Sequence, residues 1–345
     1  MHKLFKSHRL ITRRKRRIRQ TIKRLSMTVG EKILLPLIRN SHQRVPKVLL
    51  LKQNTKMERI LAKEANVLHH ISKAFTIFKT VETTCSRFDA KSEVMKLIRH
   101  VKEPVSVSPL LFEALHFAVL VANETHGTFD PTVGKQLENR GFNEHYLYGN
   151  PVQVDEAVDS GSYKDIVLDT HKKTVCLQKP MIIHLGAVAK GLAIDLAARS
   201  LPYQHFMINA GGDILVKGRN QHGELWKVGI QHPRIQTQSL LTLRVTDTAV
   251  CTSGNYARKN KTQPSMHHLV NPLSSSTRSS LMSCTAIAPS AMLADALSTS
   301  AFILGTEKGV NLLNDADIGG VLFDSSFTPF FTSDMEELMN YDHTF

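Results

Sequence analysis

Ile183-His184-Leu185-Gly186-Ala187-Val188-Ala189-Lys190-Gly191 is the stretch around which this chain is organised. The apolar run from Pro180 to Ile183 reads as a buried strand that stops at two glycines bracketing a lysine. The pattern then turns helical from Leu192 to Leu201, with Leu192, Leu196 and Ala197 (or Ala193) on one face. A strand, a tight glycine turn and a helix start aim backbone N–H groups and a lysine at one spot. Such a spot suits a phosphate or a metal-bound phosphate. An ordinary strand–turn–helix connection with a surface lysine fits the same pattern, so the reading turns on the rest of the chain.

The 345 residues allow one large domain or two ordinary ones, and 42% hydrophobic residues supply ample core. No run approaches the ~18 apolar residues of a membrane span, and the candidate from Ile33 to Ile38 is broken by Pro36. The formal charge of +14 is confined to one end: residues 1–50 hold 15 basic side chains and one acid, Glu31, leaving the remainder balanced. The organisation expected is a basic, flexible leader over 1–45 and a neutral domain over 46–345. The block Arg13 to Arg19 could meet nucleic acid, acidic lipid or an import receptor; only charge speaks for nucleic acid, and membrane-surface contact stays open. No apolar segment of secretory type follows the block, although an organelle transit peptide has similar composition. Cys85, Cys176, Cys251 and Cys284 are widely separated, which suggests neither a zinc site nor a disulfide framework. A reducing compartment follows, and a cytoplasmic location is expected.

Along the chain, Lys47 to Leu51 reads as a short strand and Met57 to Lys79 as an amphipathic helix. Ser92 and Ser108 stand as N-caps, the latter for a helix from Pro109 to Thr125 that ends at His126-Gly127. Tyr163 to Leu177 reads as a hairpin. Phe206 to Val216 is a strand, a Gly211-Gly212 break and a second strand; 226–230, 239–245 and 249–252 are further strands. Ala294 opens a helix running to Leu304-Gly305. On it, Asp295 and Thr299 share a face at i, i+4. A carboxylate and a hydroxyl so placed are hard ligands suited to Mg²⁺ or Ca²⁺, although an aspartate near a helix start also merely favours the dipole.

Taken together, these stretches resemble the ApbE-type flavin transferases (FAD:protein FMN transferases) over roughly residues 80 to 335. The resemblance rests on Ser86-Arg87-Phe88 with Ser92-Glu93, Gly127 to Gly134, and Leu185 to Gly191 followed by Asp195. It continues through Asn209-Ala210-Gly211-Gly212-Asp213, Thr252 to Tyr256, His268-Leu269-Val270-Asn271-Pro272 and Ala294 to Thr299. It implies a mixed α/β (α+β), T-fold-like architecture, with mixed antiparallel sheets and flanking helices around a flavin cleft. By motif position, the Ala187 carbonyl, Asp295 and Thr299, with Ser298 nearby, would hold a divalent metal across the FAD diphosphate, Mg²⁺ or else Ca²⁺. Phe88, Phe129, Asp130, Pro131, His184, Lys190 and Leu269 fall where the family contacts FAD. The implied reaction moves FMN from FAD to a Thr or Ser hydroxyl of an acceptor protein and releases AMP. Lys190 would neutralise phosphate charge, and His268 is the candidate general base.

Four positions depart from the family pattern. No Met-Gly-Thr precedes Phe88, His184 stands where Asp is common, Asn271 replaces a common Asp, and Arg140 replaces an aromatic. His184 is expected to weaken FAD binding relative to Asp, since imidazole offers one donor and one acceptor. Besides transfer to protein, the same motifs fit hydrolysis of FAD to FMN and AMP, or a non-catalytic flavin-binding protein.

Overall fold

A computed structural model describes residues 49–51, 60–144, 161–235, 237–256, 267–272, 280–335 and 338–339. The basic leader lies outside them. Twelve strands are described: β1 (Leu49–Leu51), β2 (Val105–Ser106), β3 (Ile166–Asp169), β4 (Thr174–Leu177), β5 (Phe206–Ala210), β6 (Asp213–Lys217), β7 (Trp226–Gln231), β8 (Ser239–Val245), β9 (Thr248–Gly254), β10 (Leu281–Ala288), β11 (Gly319–Asp324) and β12 (Pro329–Phe331). The helices are α1 (Ile60–Cys85), α2 (Glu93–Leu97), α3 (Pro109–Glu124), α4 (Gly134–Glu138), α5 (Gly186–Ser200), α6 (Ala291–Leu304) and α7 (Thr306–Asp315). Among the described residues no helix is long and apolar enough to cross a membrane.

The main sheet is antiparallel throughout, in the order β1-β5-β6-β9-β10-β11-β12. Strand alternation divides the core in two. On β9, Ala249 and Cys251 face a large helical core, whereas Val250 faces a smaller cluster. That cluster is closed by the β7–β8 hairpin, through Trp226, Val228, Ile230, Leu243 and Val245. The odd-numbered phase continues to Ser253, so its hydroxyl also reaches the helices. The small sheet β2-β4-β3 carries the expected hairpin, with Val167 opposite Cys176.

Helix starts follow the expected caps. Ser92 Oγ accepts from the Met95 amide and Ser108 Oγ from the Leu111 amide, both at 3.2 Å. Glu93 draws these two starts together, accepting from the Ser108 amide at 2.5 Å and its hydroxyl at 2.6 Å. After α3 the chain reverses through His126 (φ 52°) and Gly127 (φ 78°), whose amide donates to the Ala122 carbonyl at 2.8 Å. This is the six-to-one bond of a helix C-cap.

The central stretch differs from its sequence reading. Pro180 to Ile183 is no strand of the sheet; Ile182 makes a single parallel bridge with Val133. The helix starts at Gly186 rather than Leu192, so Lys190 and Gly191 lie within its body. Gly191 is a packing glycine, not a turn: a Cβ there would stand 2.5 Å from the Met292 nitrogen and 2.6 Å from the Ala291 carbonyl carbon. The backbones of α5 and α6 meet at that point. Asp195 secures the crossing by accepting from the Ala291 and Met292 amides at 2.7 and 3.0 Å. Helix α6 also begins earlier than expected, at Ala291, where Ser290 Oγ accepts from the Leu293 amide at 3.3 Å.

Candidate active site

A cavity of about 410 Å³ opens between α1, α5, α6 and the end of β9. Its volume lies in the range of small-molecule pockets. The loop carrying Arg87 and Phe88, the loop carrying Phe129 and Asp130, and the segment carrying His268 and Leu269 complete the wall. Of the residues predicted from sequence, Phe88, Phe129, Asp130, His184, Ala187, Lys190, His268, Leu269, Asp295 and Thr299 all line it. Pro131 and Ser298 do not. The Pro131 carbonyl is turned back to accept the His184 amide at 2.7 Å, and Ser298 is fully buried behind Thr299.

The polar floor is built from three elements. Lys190 projects from α5, Asp213 opens β6 immediately after the Gly211-Gly212 turn, and Asp295 comes from the second turn of α6. The Lys190 ammonium contacts Asp213 Oδ2 and lies 3.7 Å from Asp295 Oδ2. Burial works against its charge, but Asp295 and Asp213 together hold it above the ordinary lysine range. Asp213 is itself held by the Thr252 amide at 3.3 Å. Standing past the first turn of α6, Asp295 is aimed at Lys190 and the cleft rather than serving the helix terminus. Cys251 lies beneath, fully buried, with its thiol pushed well up by burial, and it takes no part in the surface of the cleft.

A hard divalent cation fits this donor set. Asp295 supplies a carboxylate and Thr299 a hydroxyl on the same helical face. Ala187 adds a carbonyl from the one residue of α5 with non-helical torsions (φ −93°, ψ 16°), which turn its peptide off the helix axis. No three His, Cys, Asp or Glu side chains gather to hold a metal among the described residues. A cation here would therefore need hydroxyl and carbonyl oxygens beside the carboxylate.

Arg87, almost fully buried, also lines the cavity. Its Nε donates to His184 Nδ1 at 3.1 Å, its Nη2 donates to the Phe142 carbonyl, and its Nη1 lies 3.7 Å from Glu138. Its guanidinium also covers the Phe88 ring at 4.2 Å. Because a guanidinium can only donate, Nδ1 must be the bare nitrogen and His184 carries its proton on Nε2. The imidazole lies over Gly186, where a Cβ would come 2.5 Å from Nε2. His184 is thus seated by two neighbours, and its acceptor role is already filled. The Phe142 ring meets His268 edge-on, with centroids 6.5 Å apart. Asp130 accepts from the Thr132 amide (2.8 Å) and hydroxyl (2.7 Å) and from the Tyr163 amide (3.3 Å). Burial nevertheless raises its carboxyl above the usual range.

Arg87 and Ser253 also line the cleft and Asp213 backs Lys190, although the sequence motifs that contain the three give them no role. Their signal was placement beside glycines and aromatics that do line the cleft. Nothing local shows that Asp213 would reach Lys190 from another element.

This architecture, an antiparallel sheet backed by crossing helices, recurs in solved flavin transferase structures. The ApbE protein of Thermotoga maritima superposes with a TM-score of 0.69 at 26% identity, over 85% of this chain and 95% of that one. The flavin transferase ApbE of Vibrio cholerae shares the fold, with a TM-score of 0.68 at 21% identity over 85% and 99%. The chain belongs to the ApbE family, whose model matches residues 53–322. Among curated relatives, a Haemophilus influenzae protein named FAD:protein FMN transferase is 27% identical over 251 residues, 68% of this chain and 72% of that protein. A Treponema pallidum protein of the same name is 28% identical over 275 residues, 73% and 75% respectively.

Proposed function

We propose that this protein transfers FMN from FAD to a Thr or Ser hydroxyl of an acceptor protein, releasing AMP, with Mg²⁺ bound in the cleft. The observation that carries this reading is the presence in one cavity wall of Lys190, Asp295 and Thr299, with Asp213 held against Lys190, together with Phe88, Phe129 and Leu269. Charged diphosphate suits the polar group and an aromatic ring system the apolar side chains. Relatives bearing the name FAD:protein FMN transferase support the same assignment.

Asp295, Thr299 and the Ala187 carbonyl would hold the metal. When bound, it neutralises charge on the diphosphate. Lys190, kept cationic by its two carboxylates, faces the same phosphates and orients them. His268 takes the proton of the acceptor hydroxyl as that oxygen bonds to the FMN phosphorus. The phosphorus–oxygen bond to AMP breaks, and AMP leaves with the electron pair. No role in the chemistry is assigned to the basic leader.

The test incubates the full chain with FAD, Mg²⁺ and a Thr-containing peptide. A fluorescent, covalently labelled peptide together with equimolar AMP is expected. FMN and AMP without labelled peptide would identify a hydrolase, and bound but intact FAD a non-catalytic flavin protein.

A further inference from the structure

Behind Thr299 runs a chain of three hydroxyls, of which that of Ser253 also borders the cleft and that of Ser298 is fully buried. Ser253 Oγ, at the end of β9, lies 2.9 Å from Thr299 Oγ1 and 2.9 Å from Ser298 Oγ. Ser298 Oγ in turn lies 3.0 Å from the Asp295 carbonyl oxygen. Each hydroxyl has one proton, and a carbonyl can only accept. For all three contacts to be hydrogen bonds, only one ordering exists. Ser298 must donate to the Asp295 carbonyl, so the Ser253–Ser298 bond must be donated by Ser253. With its proton committed, Ser253 must accept from Thr299.

The ordering fixes what Thr299 shows to the cleft. Its proton points back at Ser253, leaving only lone pairs facing forward. From this geometry we infer that Ser253 and Ser298 are positioning residues that orient Thr299 as a cation ligand. Resting on the metal reading above, the inference gives Ser298 a part although it touches neither cleft nor ligand. Outer partners that orient a metal ligand commonly govern affinity by about 10- to 100-fold. Without the Ser298 hydroxyl, Thr299 is the one remaining member of the chain that can accept the Ser253 proton. The bond between them then reverses, and the Thr299 proton turns toward the cation.

The full chain without FAD is titrated with Mn²⁺, and free Mn²⁺ is read by electron paramagnetic resonance. Ser298→Ala is expected to weaken Mn²⁺ binding by about tenfold, and Ser298→Thr, which restores a hydroxyl, to recover most of the loss. Ser300→Ala is the control. It removes another buried hydroxyl from the same helix, one that donates to the Ala296 carbonyl at 2.7 Å outside the chain of three, and Mn²⁺ affinity should not change. Should Ser298→Ala fail to fold, Ser253→Ala frees the Thr299 proton directly and carries the same expectation. Equal affinity in wild type and Ser298→Ala, or an equal loss in Ser300→Ala, overturns the inference alone. Absence of Mn²⁺ binding by wild type overturns the metal reading and the inference with it.

Discussion

Replacing Gly191 by alanine adds one methyl group, and the crossing of α5 and α6 has no room for it. The new Cβ would stand 2.5 Å from the Met292 nitrogen and 2.6 Å from the Ala291 carbonyl carbon, with the Met292 Cα also in conflict. Carbon atoms pack at about 3.5–4.0 Å, so the helices must part by roughly 1 Å. Every obstructing atom is backbone, and the two amides nearest the crossing are clamped by Asp195. No side chain can swing aside. Overpacking costs about 1–3 kcal/mol, and rigid neighbours place this case at the upper end. Better helix propensity returns about 0.8–1 kcal/mol, leaving a net loss of roughly 2 kcal/mol. In equilibrium urea unfolding, with a slope of about 2–3 kcal/mol/M, that is a midpoint lowered by roughly 0.7–1 M. Parting the helices also draws the Ala187 carbonyl of α5 away from Asp295 and Thr299 of α6, so Mn²⁺ affinity should fall in the same variant. A midpoint within 0.2 M of wild type would falsify the claim that this glycine sets the helix separation.

Three further outcomes follow from the site. Asp295→Asn keeps the size of the side chain but removes its charge, and Mg²⁺-dependent turnover should drop at least 100-fold while the circular dichroism spectrum is retained; undiminished turnover would remove Asp295 from the metal set. His184→Asp should change FAD affinity by less than about threefold, because Nδ1 already accepts from Arg87 as a carboxylate would. The tighter binding by Asp that the sequence reading expects, if it reached about tenfold, would show that His184 is not seated as described. Asp195→Asn replaces two acceptor oxygens by one acceptor and one donor facing the α6 amides, and should cost about 1–3 kcal/mol in calorimetry. Burial pushes the Asp195 carboxyl from 3.8 up to about 6. Between those values the native state keeps a proton the unfolded chain has lost, so this group's contribution falls as pH rises through the window and is level above it. The variant should lose that slope, and an unchanged slope would show that Asp195 is not its source.

Much of the helical half was legible because its signals are local. Ser92 and Ser108 cap as their residue types demand, and the stripe of Leu111, Ala114, Leu115 and Ala118 is buried as its spacing requires. The stretch from Pro180 to Gly191 misled because an apolar run beside glycines looks alike whether it is sheet or buried loop. Gly191 lies in a helix for the sake of a neighbour a hundred residues away. Strand β10 passed unread: it is buried on both faces, so Leu281 to Ala288 lacks the alternation that marks a half-exposed strand. The carboxylate and hydroxyl of Asp295 and Thr299 were readable at i, i+4 within one helix. The contacts of Lys190 with Asp213 and of Arg87 with His184 were not, because each joins elements whose proximity only the whole fold creates.

The pairing of β1 with β5, Leu50 opposite Ile208, has a consequence for biosynthesis. These strands are separated by roughly 160 residues, which at about 5–20 residues per second take roughly 8–30 s to translate. None of the strands made in between, β2 to β4, belongs to the main sheet. The ribosome therefore delivers most of the helices before the surface that will cover them exists. During that interval the Leu49-Leu50-Leu51 segment has no native strand partner, and nascent-chain chaperones are its natural guardians.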